Sequence, residues 1–313
     1  MKIIDFKTIS EQHFSPLQCI EWVEYILKHK YECYLPAKIS LSMGHNIFMN
    51  TMPSYIPMIQ RHGVKLVSRY PDRTPTLLSE IMLYDSTDGT ALALMDGTWI
   101  TAMRTGAVAS LAIKTLQRSD AWSYAFMGLG NTARSTLLCL AELFKGRDLF
   151  IKLLAYKGQE TLFQERFKGY PNLHFEVCQD TESLIGGTDV VISCITAADH
   201  IIAPDSCFKE GVLVVPVHTR GFQNCDLFFD KVFADDTGHV KEFKYFNKFK
   251  NYDEFAHVLL GENPGRENDR ERILAYNIGI SLHDIYFASQ IYDAIGSSAK
   301  ELILENETKK FWL

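Results

Sequence analysis

The sequence predicts an α/β protein built around a parallel, doubly wound sheet, and three observations carry that expectation. Short apolar runs alternate with helical stretches from residue 124 to residue 234, the pattern of successive strand–helix–strand units. The first of those runs leads directly into Gly128-Leu129-Gly130 and then into a helix. Ahead of residue 120 the pattern differs: several short strands follow one another, separated by turn residues.

Taken in order, residues 15–31 place Leu17, Ile20, Val23, Ile26 and Leu27 at a helical period, with Ser15-Pro16 as a helix start. Residues 38–41, 64–67, 80–84 and 91–96 read as strands, with turn chemistry at Pro53, Gly63, Pro71-Asp72, Pro75 and Asp88-Gly89. Segments 80–85 and 90–95, joined through Ser86-Thr87-Asp88-Gly89, predict an antiparallel hairpin. Residues 101–116, rich in alanine, predict a helix. The character changes near Asp120. Strands are predicted at 124–127, 149–155, 174–177, 189–194, 211–215 and 231–234, with helices at 132–144 and 160–168. Beyond Gly279, residues 280–295 are amphipathic and are expected to pack back on the N-terminal region.

A chain of 313 residues suggests two domains, and its 47% apolar and 22% charged content is that of an ordinary globular enzyme. The net charge of −6 argues against a binder of nucleic-acid backbone. Lys241–Lys250 interleaves cations with aromatics and reads as an amphipathic surface element. The N-terminus lacks the apolar run of a signal peptide, and no stretch approaches the roughly 20 apolar residues that cross a bilayer. Seven scattered cysteines without a CxxC pair predict buried thiols and a cytoplasmic setting. No metal-ligand spacing occurs, so no metal site is expected.

Gly128-Leu-Gly130-Asn-Thr-Ala133 is GxGxxA between an apolar strand and a helix, the context of a Rossmann dinucleotide site. Gly128 permits the tight turn, Gly130 admits the pyrophosphate, and Ala133 keeps the helix close to the strand. Asn131 and Thr132 lie where the helix N-terminus directs N–H groups at phosphates. The next strand ends at Ala155-Tyr156-Lys157-Gly158 without the acid that usually accepts from a ribose 2′-hydroxyl. Asp148 precedes that strand. Lys157 suits a 2′-phosphate and equally suits a solvated loop, so NADP is favoured while NAD stays open.

The run from Leu92 to Gly130 resembles the ornithine cyclodeaminase/mu-crystallin family through Met95-Asp96-Gly97, Ile100-Thr101-Ala102, Arg104-Thr105-Gly106-Ala107 and Gly128-Leu-Gly130. Met52-Pro53, Gly63-Val-Lys65-Leu-Val-Ser68, Gly261 to Arg266 and Gly279 to Asp284 extend the likeness over most of the chain. The resemblance implies a Rossmann domain, residues 119–278, inserted in a mixed α+β substrate-binding and dimerisation domain, residues 1–118 with 279–313. It further implies a nicotinamide cofactor, a small amino- or imino-acid substrate, hydride transfer through an imine, and a homodimer.

By the same resemblance Arg104 holds a substrate carboxylate, which a guanidinium does bidentately. Lys38 falls where the family often has a carboxylate-contacting arginine, and Thr105, by its place at the helix N-terminus, is expected to donate to the cofactor's phosphate or nicotinamide side. Lys65, flanked by apolar neighbours on a strand, matches a substrate-contacting lysine suited to proton transfer. The chain departs from ornithine cyclodeaminases after the fifth strand. It has Val215-Pro-Val-His218-Thr-Arg220-Gly221 in place of Gly-x-Asp. Arg220 suits an anionic group, and His218 is a second candidate for general acid–base work. This arrangement resembles the siderophore-precursor amino-acid dehydrogenases of the family. The expectation is an NAD(P)-dependent oxidoreductase acting at a C–N bond, with redox-neutral cyclodeamination or a non-catalytic NADPH-binding protein as alternatives.

Overall fold

The computed structural model describes residues 1–195, 200–217, 222, 225–305, 307 and 309–310. Two compact units emerge: Met1–His13 with Glu32–Thr101 and Asp284–Leu313, and Phe14–Tyr31 with Ala102–His283. The second unit thus takes in the 14–31 segment and residues 102–118, which the expected boundaries at 118 and 279 assign to the other domain.

The first unit is a seven-stranded sheet. It contains β1 (Lys2–Ile4), followed by helix α1 (Phe6–Ser10), then β2 (Ile39–Ser42), β3 (Phe48–Ile56), β4 (Arg61–Arg69), β5 (Leu77–Asp85) and β6 (Ala91–Asp96). A two-residue strand at Lys300–Glu301 completes it, and the spatial order runs from that strand through β1, β6, β5, β4 and β3 to β2. Only β1 and β6 pair in parallel. Successive side chains point to opposite faces of a strand. On β4 this buries Gly63, Lys65 and Val67 and leaves Leu66 38% exposed. Met52, Lys65, Ile81 and Met95 stand in one row across β3 to β6.

The expected hairpin is β5–β6. Strand β3, by contrast, runs through Pro53, which the sequence reading treats as a turn. The regular pairing of β2 with β3 stops at Thr51 and gives way to a single bridge between Tyr34 and Tyr55, and a residue without an N–H is tolerated where the ladder breaks.

The second unit opens with α2 (Pro16–Lys28), started by Ser15, whose side chain accepts from the Leu17 N–H. Helix α3 (Thr98–Leu116) enters it at Ala102. An eight-stranded sheet follows, made of β7 (Ser123–Met127), β8 (Leu149–Leu154), β9 (Leu173–Cys178), β10 (Val190–Ser193), β11 (Leu213–Pro216), β12 (Lys231–Ala234), β13 (Tyr252–Glu254) and β14 (Ile273–Tyr276). The helices α4 (Asn131–Leu143), α5 (Gln159–Arg166), α6 (Thr181–Ile185), α7 (Cys225–Phe228), α8 (Thr237–Val240) and α9 (Phe255–Leu260) alternate with them, and α10 (Ser281–Ile295) starts in this unit and belongs to the first from Asp284 on.

Every pair in this sheet is parallel, in the order β13-β12-β14-β11-β10-β7-β8-β9. β7 therefore has β8 on one side and β10 on the other, and the winding reverses between β7 and β10, the place where doubly wound sheets hold ligands. The four-residue runs of β10, β11, β12 and β14 are wholly buried, as parallel strands covered on both faces must be. The aromatics of residues 241–250 turn inward, with Phe243, Phe246 and Phe249 packed against the core while Lys241 is exposed. No helix among the described residues is long and apolar enough to cross a membrane.

A buried ion network ties the end of α2 to the region after β12. Lys30 Nζ lies 2.9 Å from Asp236 Oδ2 and 2.7 Å from Glu254 Oε2, and donates to the Asp235 carbonyl. Tyr31 Oη and the Thr237 N–H donate to the two oxygens of Glu254. Burial pushes Asp236 upward, yet His239 and Lys30 override it and hold the carboxyl down to about 2. Removing the cation leaves two buried carboxylates, so Lys30→Met should lower unfolding free energy by about 3 kcal/mol near neutral pH. A carboxyl depressed in the folded state stabilises above its ordinary pKa and loses that contribution as pH falls toward the folded value. Urea unfolding of both proteins from pH 6 downward should show the gap shrinking below about pH 4.

Candidate active site

At the switch point, Gly128 adopts φ +80°, and a Cβ there would lie 2.8 Å from the backbone C and O of Cys194, just past β10. The Cys194 N–H donates to the Met127 carbonyl at 2.7 Å, which draws the two strand ends together. Only glycine fits both the turn and the approach. Gly130 is the N-cap of α4, and among the described residues there is open space where its Cβ would point. Gly130 has no side chain to offer the first N–H groups of Asn131 and Thr132, and a dinucleotide's pyrophosphate fits that end of the helix. Ala133 is fully buried against the sheet.

Helix α3 is clamped to α4 beside this turn. A Cβ on Gly106 would meet the Ser135 backbone at 2.5 Å, so the helices touch main chain to main chain. Ser135 Oγ donates to the Ala102 carbonyl, and Ser110 Oγ to that of Thr136. Arg104 and Thr105 lie between these clamps and are both buried, Arg104 to 5% exposure. The Arg104 guanidinium lies against Gly279: a Cβ there would fall 2.7 Å from Cζ, 2.9 Å from Nη2 and inside contact of Nη1. Gly279 has φ +86°, and its N–H donates to Asp235 Oδ2 at 2.6 Å. Asp235 is fully buried, which raises its carboxyl above the usual range.

In the first unit, Lys65 is 1% exposed and its Nζ stands 2.5 Å from Oδ2 of the fully buried Asp284. A Cβ on Gly63 would collide with the Met82 carbonyl and with Ile285, so that glycine admits α10 against β4. Lys38 precedes β2 by one residue. Continuing the register from Ile39↔Thr51 sets it opposite Met52, itself opposite Lys65. Asp284 is not among the residues expected from sequence to carry function. Its only signal is its place six residues into the Gly279 motif. His218 and Arg220 lie outside the described residues.

At the end of β8, Lys157 (φ +52°) and Gly158 (φ +75°) form a left-handed turn. Lys157 Nζ sits 5.1 Å from the centre of the Tyr156 ring. Glu160 accepts from the Tyr156 N–H at 3.0 Å, and its own backbone N–H, then that of Tyr156, hold its carboxyl below the usual range. Asp148 pairs with His174 at 2.9 Å. Both acids are thus committed to local partners. No group of three or more metal-ligating side chains occurs among the described residues.

The model of the ornithine cyclodeaminase/mu-crystallin family matches residues 3–299. A nodulation efficiency protein, NfeD, of Rhizobium meliloti is 26% identical over 82% of this chain and 83% of its own length. A delta(1)-pyrroline-2-carboxylate reductase of Bacillus cereus is 28% identical over 77% of this chain and 80% of its own. Among solved structures, the delta(1)-pyrroline-2-carboxylate reductase of Thermococcus litoralis, in complex with NADH and L-proline, superposes with a TM-score of 0.86 at 25% identity. That match covers 97% of this chain and 100% of the other.

Breaking a buried pair costs more than the pair is worth, because one charge stays behind. Lys65→Met and Asp284→Leu should each cost about 3–5 kcal/mol by urea unfolding. The double variant should lose less than the sum of the two, and strict additivity would show that the groups act independently.

Proposed function

Because this chain belongs to the ornithine cyclodeaminase/mu-crystallin family, we propose that it is an NAD(P)-dependent oxidoreductase acting at the C–N bond of a small amino acid, N-substituted amino acid or imino acid. The observation that carries this reading is the Gly128 turn at the switch point, pressed against Cys194 beside a helix N-terminus whose N-cap is Gly130. When bound, the nicotinamide donates or accepts the hydride at the substrate's alpha carbon. Arg104 receives the carboxylate, with Lys38 as a second contact. Lys65 moves the proton at the substrate nitrogen, its ammonium fixed by Asp284. His218 is the alternative proton carrier and Arg220 a further anion contact. Thr105, Gly128, Gly130, Asn131 and Thr132 hold the cofactor.

Residues 119–278 serve as the dinucleotide domain, and residues 1–118 with 279–313 serve substrate binding and dimerisation. A cytoplasmic setting agrees with the free thiols of Cys19, Cys33, Cys139, Cys178, Cys194 and Cys207. NADP is favoured over NAD, since Glu160 and Asp148 are engaged elsewhere and the exposed Lys157 suits a 2′-phosphate. A homodimer is supported by the sheet face opposite Lys65. By register Ile39, Leu41 and Leu66 share that face, and all three are exposed.

A panel of amino acids and cyclic imino acids with NADH and NADPH, scored for nicotinamide absorbance and ammonia release, tests the activity. Net nicotinamide turnover is expected, with NADPH preferred by about tenfold in kcat/KM, the scale of one charge-assisted contact. Ammonia release without net turnover indicates cyclodeamination, and tight nucleotide binding without any turnover indicates a binding protein. For assembly, light scattering should find a dimer for the native chain and a monomer for Leu66→Asp. A dimer that survives this change places the interface elsewhere.

A further inference from the structure

We propose that Gly279 and Asp235 form a seat that aims Arg104, and so act as positioning residues for recognition of the substrate's carboxylate. This rests on the role given to Arg104 above. The seat has two parts. The first is steric. Arg104's guanidinium fills the volume that any side chain at 279 would take, with Cζ 2.7 Å and Nη2 2.9 Å from a Cβ built there. A guanidinium brought this close to a main chain has few orientations left, so its fork is set before substrate arrives, and preorganisation of that kind lowers the ordering cost of binding.

The second part holds the glycine. At φ +86° Gly279 is held by the hydrogen bond from its N–H to Asp235 Oδ2 at 2.6 Å. Asp235 is itself pinned by its backbone: its N–H donates to the Tyr276 carbonyl at 3.1 Å, and its carbonyl accepts from Lys30 Nζ at 2.9 Å. The Lys30 network therefore ends on the residue that holds Gly279. The other carboxyl oxygen, Oδ1, is buried without a hydrogen-bond partner among the described residues. A buried polar group left so is costly, and a fold designed only for stability would place an apolar residue there. Asp235 follows β12 directly, at the carboxyl ends of the parallel strands, where such sheets bind ligands.

Paired probes that differ only in the carboxylate give the test. L-proline and pyrrolidine are titrated calorimetrically into nucleotide-saturated protein, and reduction of delta(1)-pyrroline-2-carboxylate is compared with that of 1-pyrroline. Gly279→Ala should weaken L-proline and raise KM for the carboxylate substrate by about tenfold or more, the scale of a lost charge-assisted contact. Pyrrolidine binding, 1-pyrroline kinetics and nucleotide affinity should change less than about twofold on the same scale. Asp235→Leu should repeat this pattern, and Asp235→Asn, which keeps an acceptor for the Gly279 N–H, should lose less than Asp235→Leu. Unchanged L-proline affinity in Gly279→Ala, or equal losses for both members of a pair, overturns the seat, as does a native protein that binds no L-proline. If the native protein reduces neither imine while Gly279→Ala still weakens L-proline, the seat stands and the proposed activity falls.

Discussion

A charge withdrawn from water has to be met by the protein, and three buried cations dictate much of what surrounds them. Lys30 gathers Asp236, Glu254 and the Asp235 carbonyl. Lys65 stands on Asp284. Arg104 lies on Gly279, which in turn hangs from Asp235. Burial of such groups adds little net stability, because desolvation offsets most of the attraction. What they supply is definition: each admits few arrangements of its neighbours, and each sits on an element whose position it helps to fix.

The second recurring device is contact between main chains. Gly128 meets the backbone after β10, and Gly106 meets that of α4. A methyl group at either point would force strand ends or helices apart, since packed interiors have little slack. The dinucleotide turn and the Arg104 segment are therefore held by the absence of side chains as much as by bonds.

Much of this was legible in the residue pattern. The alternation of strands and helices, the Gly128 turn and the hairpin at β5–β6 follow local rules that need no knowledge of the fold. Lys65 was legible as a desolvated lysine because its neighbours on β4 are apolar. Strand β3 was hidden by Pro53, whose tolerance depends on where a neighbouring strand ends. Asp235 and Asp284 carried no local mark. Their partners lie 44 positions away at Gly279 and 219 at Lys65, and nothing in a window of either sequence joins them.

The pleat of β4 also bears on how this chain can change over time. Lys65 and Leu66 are neighbours on opposite faces, one buried with Asp284 and one in the open. Inserting or deleting a single residue between Arg61 and Lys65 would exchange them, stranding a charge outside and a carboxylate within. A strand held to one register in this way can change by substitution alone. Changes in length are left to the turns on either side of it, where no face has to be kept.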